Sequence, residues 1–320
     1  MKKFSLWLIL LLSTVTVAGA QTNTYPSRTI RMILAVSVGG TSDIFARALS
    51  LELQKRLGQP IVVENRAGGG MNIAGRACAD AAPDGYTICL LPTESLTLNQ
   101  FIYKSLSFDA EKDFAPVTNA FFNPQVMVIA SNLGVKNLNE LAALSKSRSG
   151  TLSYSTLSVL MQIAMEAWKK KSGADLVYVP VRGGADMVNG LLTGTTPVAS
   201  VGLPNFIPYI RNGQVVAIAV DTPSRSPLFP DVPTLQELGF PKLPPTYFAI
   251  VTPGGVPNEI ILKLHDEIAT VGNDPEFRQR QLTDIGLVPI FDTPEQLATF
   301  LKEERANNAR LIRDSGFELR

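Results

Sequence analysis

The segment Ala35-Val-Ser-Val-Gly-Gly-Thr-Ser-Asp43 decides how this chain is read. Before it, Arg28-Thr-Ile-Arg-Met-Ile-Leu34 reads as a short buried strand. After it, Ile44, Phe45, Ala48, Leu49, Leu53 and Leu57 recur at helical spacing. A strand, a glycine pair and a helix start aim several backbone N–H groups at one point, and the helix dipole adds partial positive charge there. Gly39 and Gly40 permit close backbone approach, while Ser37, Thr41 and Ser42 offer hydroxyl donors. The whole turn, Ser37-Val38-Gly39-Gly40-Thr41-Ser42-Asp43, is therefore a candidate anion site that needs no charged side chain. Asp43 itself reads as a first-turn residue favoured by the dipole, since pointed inward it would repel an anion. The alternative reading of the turn is an ordinary strand-to-helix connection.

Outward from this turn, strand and helix patterns alternate, which predicts an α/β fold with largely parallel sheets. Expected strands are 30–34, 61–64, 87–91, 126–130, 152–155, 176–179, 198–201, 215–220 and 247–251. Expected helices are 43–56, 72–82, 138–147, 162–172, 185–193, 206–212, 234–238, 258–271, 275–285 and 294–315. No Ser/Gly-rich linker interrupts the series. Two lobes would then be joined by crossing strands, placed near 121–125 and 241–247, with the C-terminal helices returning to the first lobe.

At the N-terminus, Lys2 and Lys3 precede an apolar stretch from Phe4 to Val17, and Ala18-Gly19-Ala20 ends before Gln21. This is the layout of a secretory signal over residues 1–20, and it predicts an exported, soluble mature chain. With Lys plus Arg at 29 against Asp plus Glu at 28, the chain offers no field for nucleic acid. The run Lys169-Lys170-Lys171 reads as a solvated helix end. Cys78 and Cys89 sit in apolar stretches and are expected as free core thiols, although export would permit a bridge. His265 is the sole histidine and reads as a surface residue. No metal cluster, Gly-x-Ser-x-Gly elbow or full dinucleotide fingerprint is present, so no metal, cofactor or catalytic residue is expected.

Several blocks of sequence carry a family resemblance. They include Tyr25-Pro-Ser-Arg-Thr-Ile30, Val62-Val-Glu-Asn-Arg66 followed by Gly68-Gly-Gly70, Ala82-Pro-Asp-Gly-Tyr86, and Lys112-Asp-Phe-Ala-Pro-Val117. Arg225-Ser-Pro227, Pro230-Asp-Val-Pro-Thr234 and Glu237-Leu-Gly239 follow in order. Over essentially the whole mature chain, this series resembles the substrate-binding proteins of tripartite tricarboxylate transporters, the Bug family. The resemblance implies a type II periplasmic binding-protein fold, with two α/β lobes closing on a ligand: a discontinuous first lobe at 25–122 and 245–320, and a second at 123–244. It also implies a periplasmic location, a small organic carboxylate as ligand (a dicarboxylate or an aromatic acid among the candidates) and membrane permease subunits as partners. A monomer is expected, because no association helix is evident.

In such proteins a carboxylate lies between helix starts of both lobes. The first-lobe share maps here to Ser37 through Asp43. The second-lobe share maps to Tyr154-Ser-Thr-Leu-Ser-Val-Leu-Met-Gln162, a turn shorter than usual and without glycine, in which Ser155, Thr156 and Ser158 keep hydroxyls. Leu157, Val159, Leu160 and Met161 either face an apolar ligand body or pack the shorter turn. Arg182, Gly183, Gly184 and Ala185 form a further helix start, where Arg182 could pair with a second carboxylate, although an ordinary surface arginine is the commoner outcome. Val201 and Gly202 stand where the family often carries an acid and an amide, which weakens an amino-acid reading. Thr93, Glu94 and Ser95 complete the expected wall, with a solvent-facing orientation as the alternative for Glu94, an unusual residue there. Two other functions remain open at this point: a ligand-presenting partner of a membrane signalling receptor, and an enzyme using the same cleft.

Overall fold

The computed structural model describes residues 25–316, so the export signal read at residues 1–20 lies outside the described residues. The strands are β1 (Ile30–Leu34), β2 (Ile61–Asn65), β3 (Thr87–Pro92), β4 (Phe114–Phe122), β5 (Gln125–Ala130), β6 (Ser153–Thr156), β7 (Val177–Tyr178), β8 (Val198–Gly202), β9 (Val215–Asp221), β10 (Tyr247–Pro253) and β11 (Val288–Pro289). They form two sheets, ordered β11-β4-β10-β3-β1-β2 and β7-β6-β8-β5-β9. The helices are α1 (Thr41–Leu57), α2 (Asn72–Ala79), α3 (Thr93–Thr97), α4 (Leu138–Ser147), α5 (Val159–Ser172), α6 (Gly184–Thr193), α7 (Ile207–Arg211), α8 (Asn258–Asn273), α9 (Pro275–Gln281) and α10 (Pro294–Ser315). Among the described residues no helix is long and apolar enough to cross a membrane. Each sheet with its helices makes one lobe of a type II binding-protein fold.

The expectation of largely parallel sheets is corrected. β1 pairs in parallel with β2 and β3, and β6 with β7 and β8, but β10 runs against β3 and β4, and β5 runs against β8 and β9. The reason is topological: the antiparallel pairs all involve strands that carry the chain from one sheet to the other or flank such strands. From β4 the chain passes through Asn123 and Pro124 into β5, and from β9 it returns through residues 222–246 into β10. The two passages are hydrogen-bonded to each other, Asn123 N to Thr246 O at 2.9 Å.

Three further differences have local causes. β4 is not legible in the pattern because Pro116 interrupts Phe-Ala-Pro-Val-Thr-Asn-Ala-Phe-Phe. The structure accommodates that proline beside register shifts in the β4–β10 pairing. The helix expected at 234–238 is absent; those residues form turns, with Glu237 accepting from Thr234 N and Arg225. The helix expected from Gln162 starts three residues earlier, because Ser158 caps it by accepting from Met161 N.

The core of the first lobe anchors the β1–α1 turn to the passage between lobes. Phe45 of α1 meets Phe121 of β4 edge-on at 4.8 Å, and Phe121 stacks on Phe248 of β10 at 5.1 Å. On the other face, α2 packs on β3, and Cys78 and Cys89 are joined in a disulfide with their Cα atoms 6.2 Å apart, within bridging range. The expectation of free thiols is therefore corrected: burial in the core was read rightly, but the helix and strand bring the two side chains together. For so short a loop, chain-entropy arguments give about 3 kcal/mol of stabilisation. Calorimetry of a Cys78→Ala/Cys89→Ala variant should show a melting temperature lower by several degrees, and an unchanged melt would deny the bridge a stabilising role.

Candidate ligand-binding site

The β1–α1 turn is held by its own acid. Asp43, with a side chain 3% exposed, accepts from Gly39 N at 3.0 Å, from Arg47 at 2.9 and 3.1 Å, and from Asn65 Nδ2 at 2.9 Å. The same Asn65 amide donates to Val36 O at 3.0 Å, which fixes the end of β1. Burial alone would raise the Asp43 carboxyl, but the hydrogen bonds from Arg47, Gly39 and Asn65 outweigh it and hold the group below the usual carboxylate range. Asp43 thus braces the turn from its own lobe. Replacing it with alanine would strand these donors and should destabilise the protein by about 1–3 kcal/mol, read as a lowered denaturation midpoint.

Opposite this turn stands the start of α6. Gly183, its N-cap, presses directly on Ser37: a Cβ at 183 would lie 2.9 Å from Ser37 Oγ and 3.2 Å from Ser37 N. The starts of α1 and α6, one from each lobe, are therefore brought face to face. Asp43 N donates to the N-cap carbonyl, Gly40 O, at 3.0 Å, while the amides before it in each first turn have no acceptor within their own helices. Val38 is 64% exposed at this mouth, Gly40, Thr41 and Ser42 are buried, and Gly39, Thr41 and Ala185 border an outer groove of about 540 Å³. Gly184 packs against Asn205, which in turn donates to Gly202 O at 2.9 Å.

Beside the Ser37–Gly183 contact lie two spaces between the lobes. The larger, about 450 Å³, is bordered by Ser95, Thr156 and Arg182 from the expected set. Glu94, expected in the wall beside Thr93 and Ser95, borders it too, and its other walls lie outside the expected set: Gly68 to Met71, Asn99, Tyr103 and Tyr178. The smaller, about 30 Å³, is bordered by Ser158 and Val201 together with Val36, Glu94, Asn123 and Gln125. Ser155 is buried with its hydroxyl unpartnered, Gly202 packs on Asn123, and Thr93 is buried with its hydroxyl toward Tyr247 O. Of the apolar residues of the second-lobe turn, Leu157 and Val159 border the larger space, while Leu160 and Met161 pack into the core. The shorter turn is thus packed by Leu160 and Met161, with Leu157 and Val159 on the cavity side.

The solvent-facing alternative for Glu94 is the main correction at the site. Glu94 is only 9% exposed and reaches across to the second lobe. It accepts from Ser158 Oγ at 2.8 Å, from Thr246 Oγ1 at 3.2 Å and from the backbone of Val159. Burial pushes its carboxyl up from the ordinary glutamate value, against those hydrogen bonds. α3, the short helix that turns Glu94 inward, has no periodicity to announce it. The Gly68-Gly-Gly70 run did carry a signal: Gly70, at φ 61°, lies so close to the Tyr103 hydroxyl that any side chain would collide with it. His265 lies elsewhere on α8, its side chain only 15% exposed rather than on the surface as expected, because its ring nitrogens lie 3.1 Å from Asp266 Oδ1 and Asp292 O. No cluster of metal-ligating side chains occurs among the described residues.

The geometry is matched by known proteins. The family profile described as "Tripartite tricarboxylate transporter family receptor" matches residues 45–317. The chain belongs to this family. It is 32% identical to the protein BugT of Bordetella pertussis over 307 residues, covering 95% of this chain and 94% of BugT. Its fold is similar to that of the periplasmic binding protein BugD, with a TM-score of 0.84 and 26% identity over 92% of this chain and all of that one. A protein of R. palustris solved with adipate gives the same TM-score, identity and coverage. This receptor therefore shares its two-lobed frame with solute-binding proteins.

Proposed function

We propose that this chain is a periplasmic solute receptor that captures a small organic carboxylate between its lobes and delivers it to membrane permease subunits of a tripartite tricarboxylate-type transporter. The observation that carries this reading is the approach of Ser37 to Gly183, which sets two helix starts, one from each lobe, beside a cavity of about 450 Å³ bordered by Arg182. The acid would take its hydrogen bonds from the turn Ser37–Ser42 and from Gly183–Ala185, with Arg182 as the nearby cation. The second lobe is taken as 123–244, and the receptor as a monomer needing no cofactor and assigned no catalytic step. Closure is driven by contacts the open state lacks.

Ligand binding to the folded state alone raises its melting temperature. A thermal-shift panel of citrate, dicarboxylates, monocarboxylates, aromatic acids and acidic amino acids should contain at least one acid that does so. Native mass spectrometry of freshly purified protein should show the adduct mass. A flat response to every acid, with no adduct, would remove the receptor reading.

A further inference from the structure

We propose that Glu94 restricts the ligand to one carboxylate, with a far end that is uncharged or donates hydrogen bonds; this rests on the receptor reading above. The larger interlobe cavity is chemically mixed. Arg182, exposed, and Glu94, buried, both border it. Met71, Tyr103, Leu157 and Tyr178 border it as well and suit an apolar or aromatic body.

The start of α5 would be the natural seat for a second ligand carboxylate, because Ser158 and the Val159 amide both offer hydrogen bonds there. Those donors are already taken. Ser158 Oγ donates to Glu94 Oε1 at 2.8 Å, Thr246 Oγ1 donates to the same atom at 3.2 Å, and the Val159 backbone completes the set. The protein's own carboxyl thus sits where a diacid would place its far end. The space beyond Glu94 measures about 30 Å³, room for water and nothing larger. Asn123 borders that space too, and its Oδ1 is buried without a partner. At the ligand cavity itself the Glu94 carboxyl is the acceptor, and it suits a hydroxyl, amide or ammonium group.

The test compares matched pairs of four to eight carbons by calorimetry, each pair a dicarboxylate and the ω-hydroxy monocarboxylate of equal length. Wild-type protein should favour the hydroxy acid of the best pair by roughly 100-fold. Glu94→Ser, which frees the α5 donors, should narrow that ratio at least tenfold, and Glu94→Gln serves as the shape-conserving control should the serine variant fold poorly. A wild-type protein that binds the dicarboxylate as tightly as its partner would overturn the proposal. So would a preference unchanged in both variants. If no acid of either class binds, while the wider panel is also silent, the receptor reading itself fails and this one with it.

Discussion

Gly183→Val should leave both lobes folded and weaken ligand binding by at least roughly 100-fold, equivalent to about 3 kcal/mol. The backbone at Gly183 is extended, with φ near −175°, so a branched residue meets no conformational penalty there. The obstacle lies across the cleft. A Cβ at this position would sit 2.9 Å from Ser37 Oγ, 3.0 Å from Ser37 Cβ and 3.2 Å from Ser37 N. All three atoms belong to Ser37, in the short β1–α1 turn that Asp43 and Asn65 hold rigid, so the turn cannot easily give way. The lobes must part instead, and the ligand then loses the donors of one helix start. Calorimetry should report the lost affinity, while the melting temperature without ligand stays within a few degrees. Small-angle scattering should show a larger radius for the variant in the presence of ligand. Gly183→Ala should fall between, since rotation of the Ser37 side chain relieves the Oγ contact and leaves only the tight approaches to Ser37 Cβ and N, without the added branches of valine. Normal affinity in the valine variant would mean that closure does not bring Ser37 and Gly183 together.

Stability should fall as pH rises between about 4 and about 7, and Asp221→Asn should make that fall smaller. Asp221 ends β9 at the passage between lobes, and its carboxyl is pushed up to about 7, chiefly by burial and then by the neighbouring charge of Glu94. The unfolded chain ionises this group near its ordinary value of about 3.9. Below that pH both states are protonated and nothing is lost. Between the two values the unfolded chain releases its proton while the folded chain retains it, so the folded state is progressively disfavoured; above about 7 the cost is complete. At about 1.4 kcal/mol per unit the full effect is of order 4 kcal/mol, and water reaching the group would reduce it to about 2–3. Denaturant melts of the Asp221→Asn variant should therefore match wild type at pH 4 and exceed it at pH 8. Glu94, raised in the same direction, adds a fall of the same sign that persists in the variant. Equal stabilities at pH 8 would show that Asp221 is solvated.

Much of the frame could be read from residues alone, because the signals were local. Ile30–Leu34 and Leu138–Ser147 are bounded as the pattern requires, and Thr293 with Gln296 caps α10 where the sequence places its start. What escaped was long-range. Nothing near Cys78 or Cys89 says that α2 and β3 will bring them within bonding distance. Pro116 hid β4, since a proline within a central strand is tolerated only where the neighbouring ladder shifts register. At the site, the β1–α1 turn was legible because glycines, hydroxyls and a helix start are contiguous in sequence. Glu94 was not, since its meaning depends on Ser158 and Thr246, which are remote in sequence and adjacent only once the lobes meet. Tyr103 and Tyr178 were missed for the same reason, whereas the Gly68-Gly-Gly70 run was noticed but not placed in the cleft.

The central claim is that a ligand carboxylate is held by the facing starts of α1 and α6. Its most direct test is a titration of ¹⁵N-labelled protein, followed by amide chemical shift, with the acid that raises the melting temperature most. The amides of Gly40, Thr41, Ser42, Gly184 and Ala185 should move furthest and saturate together. Saturable binding that shifts amides elsewhere and leaves these five in place would contradict it.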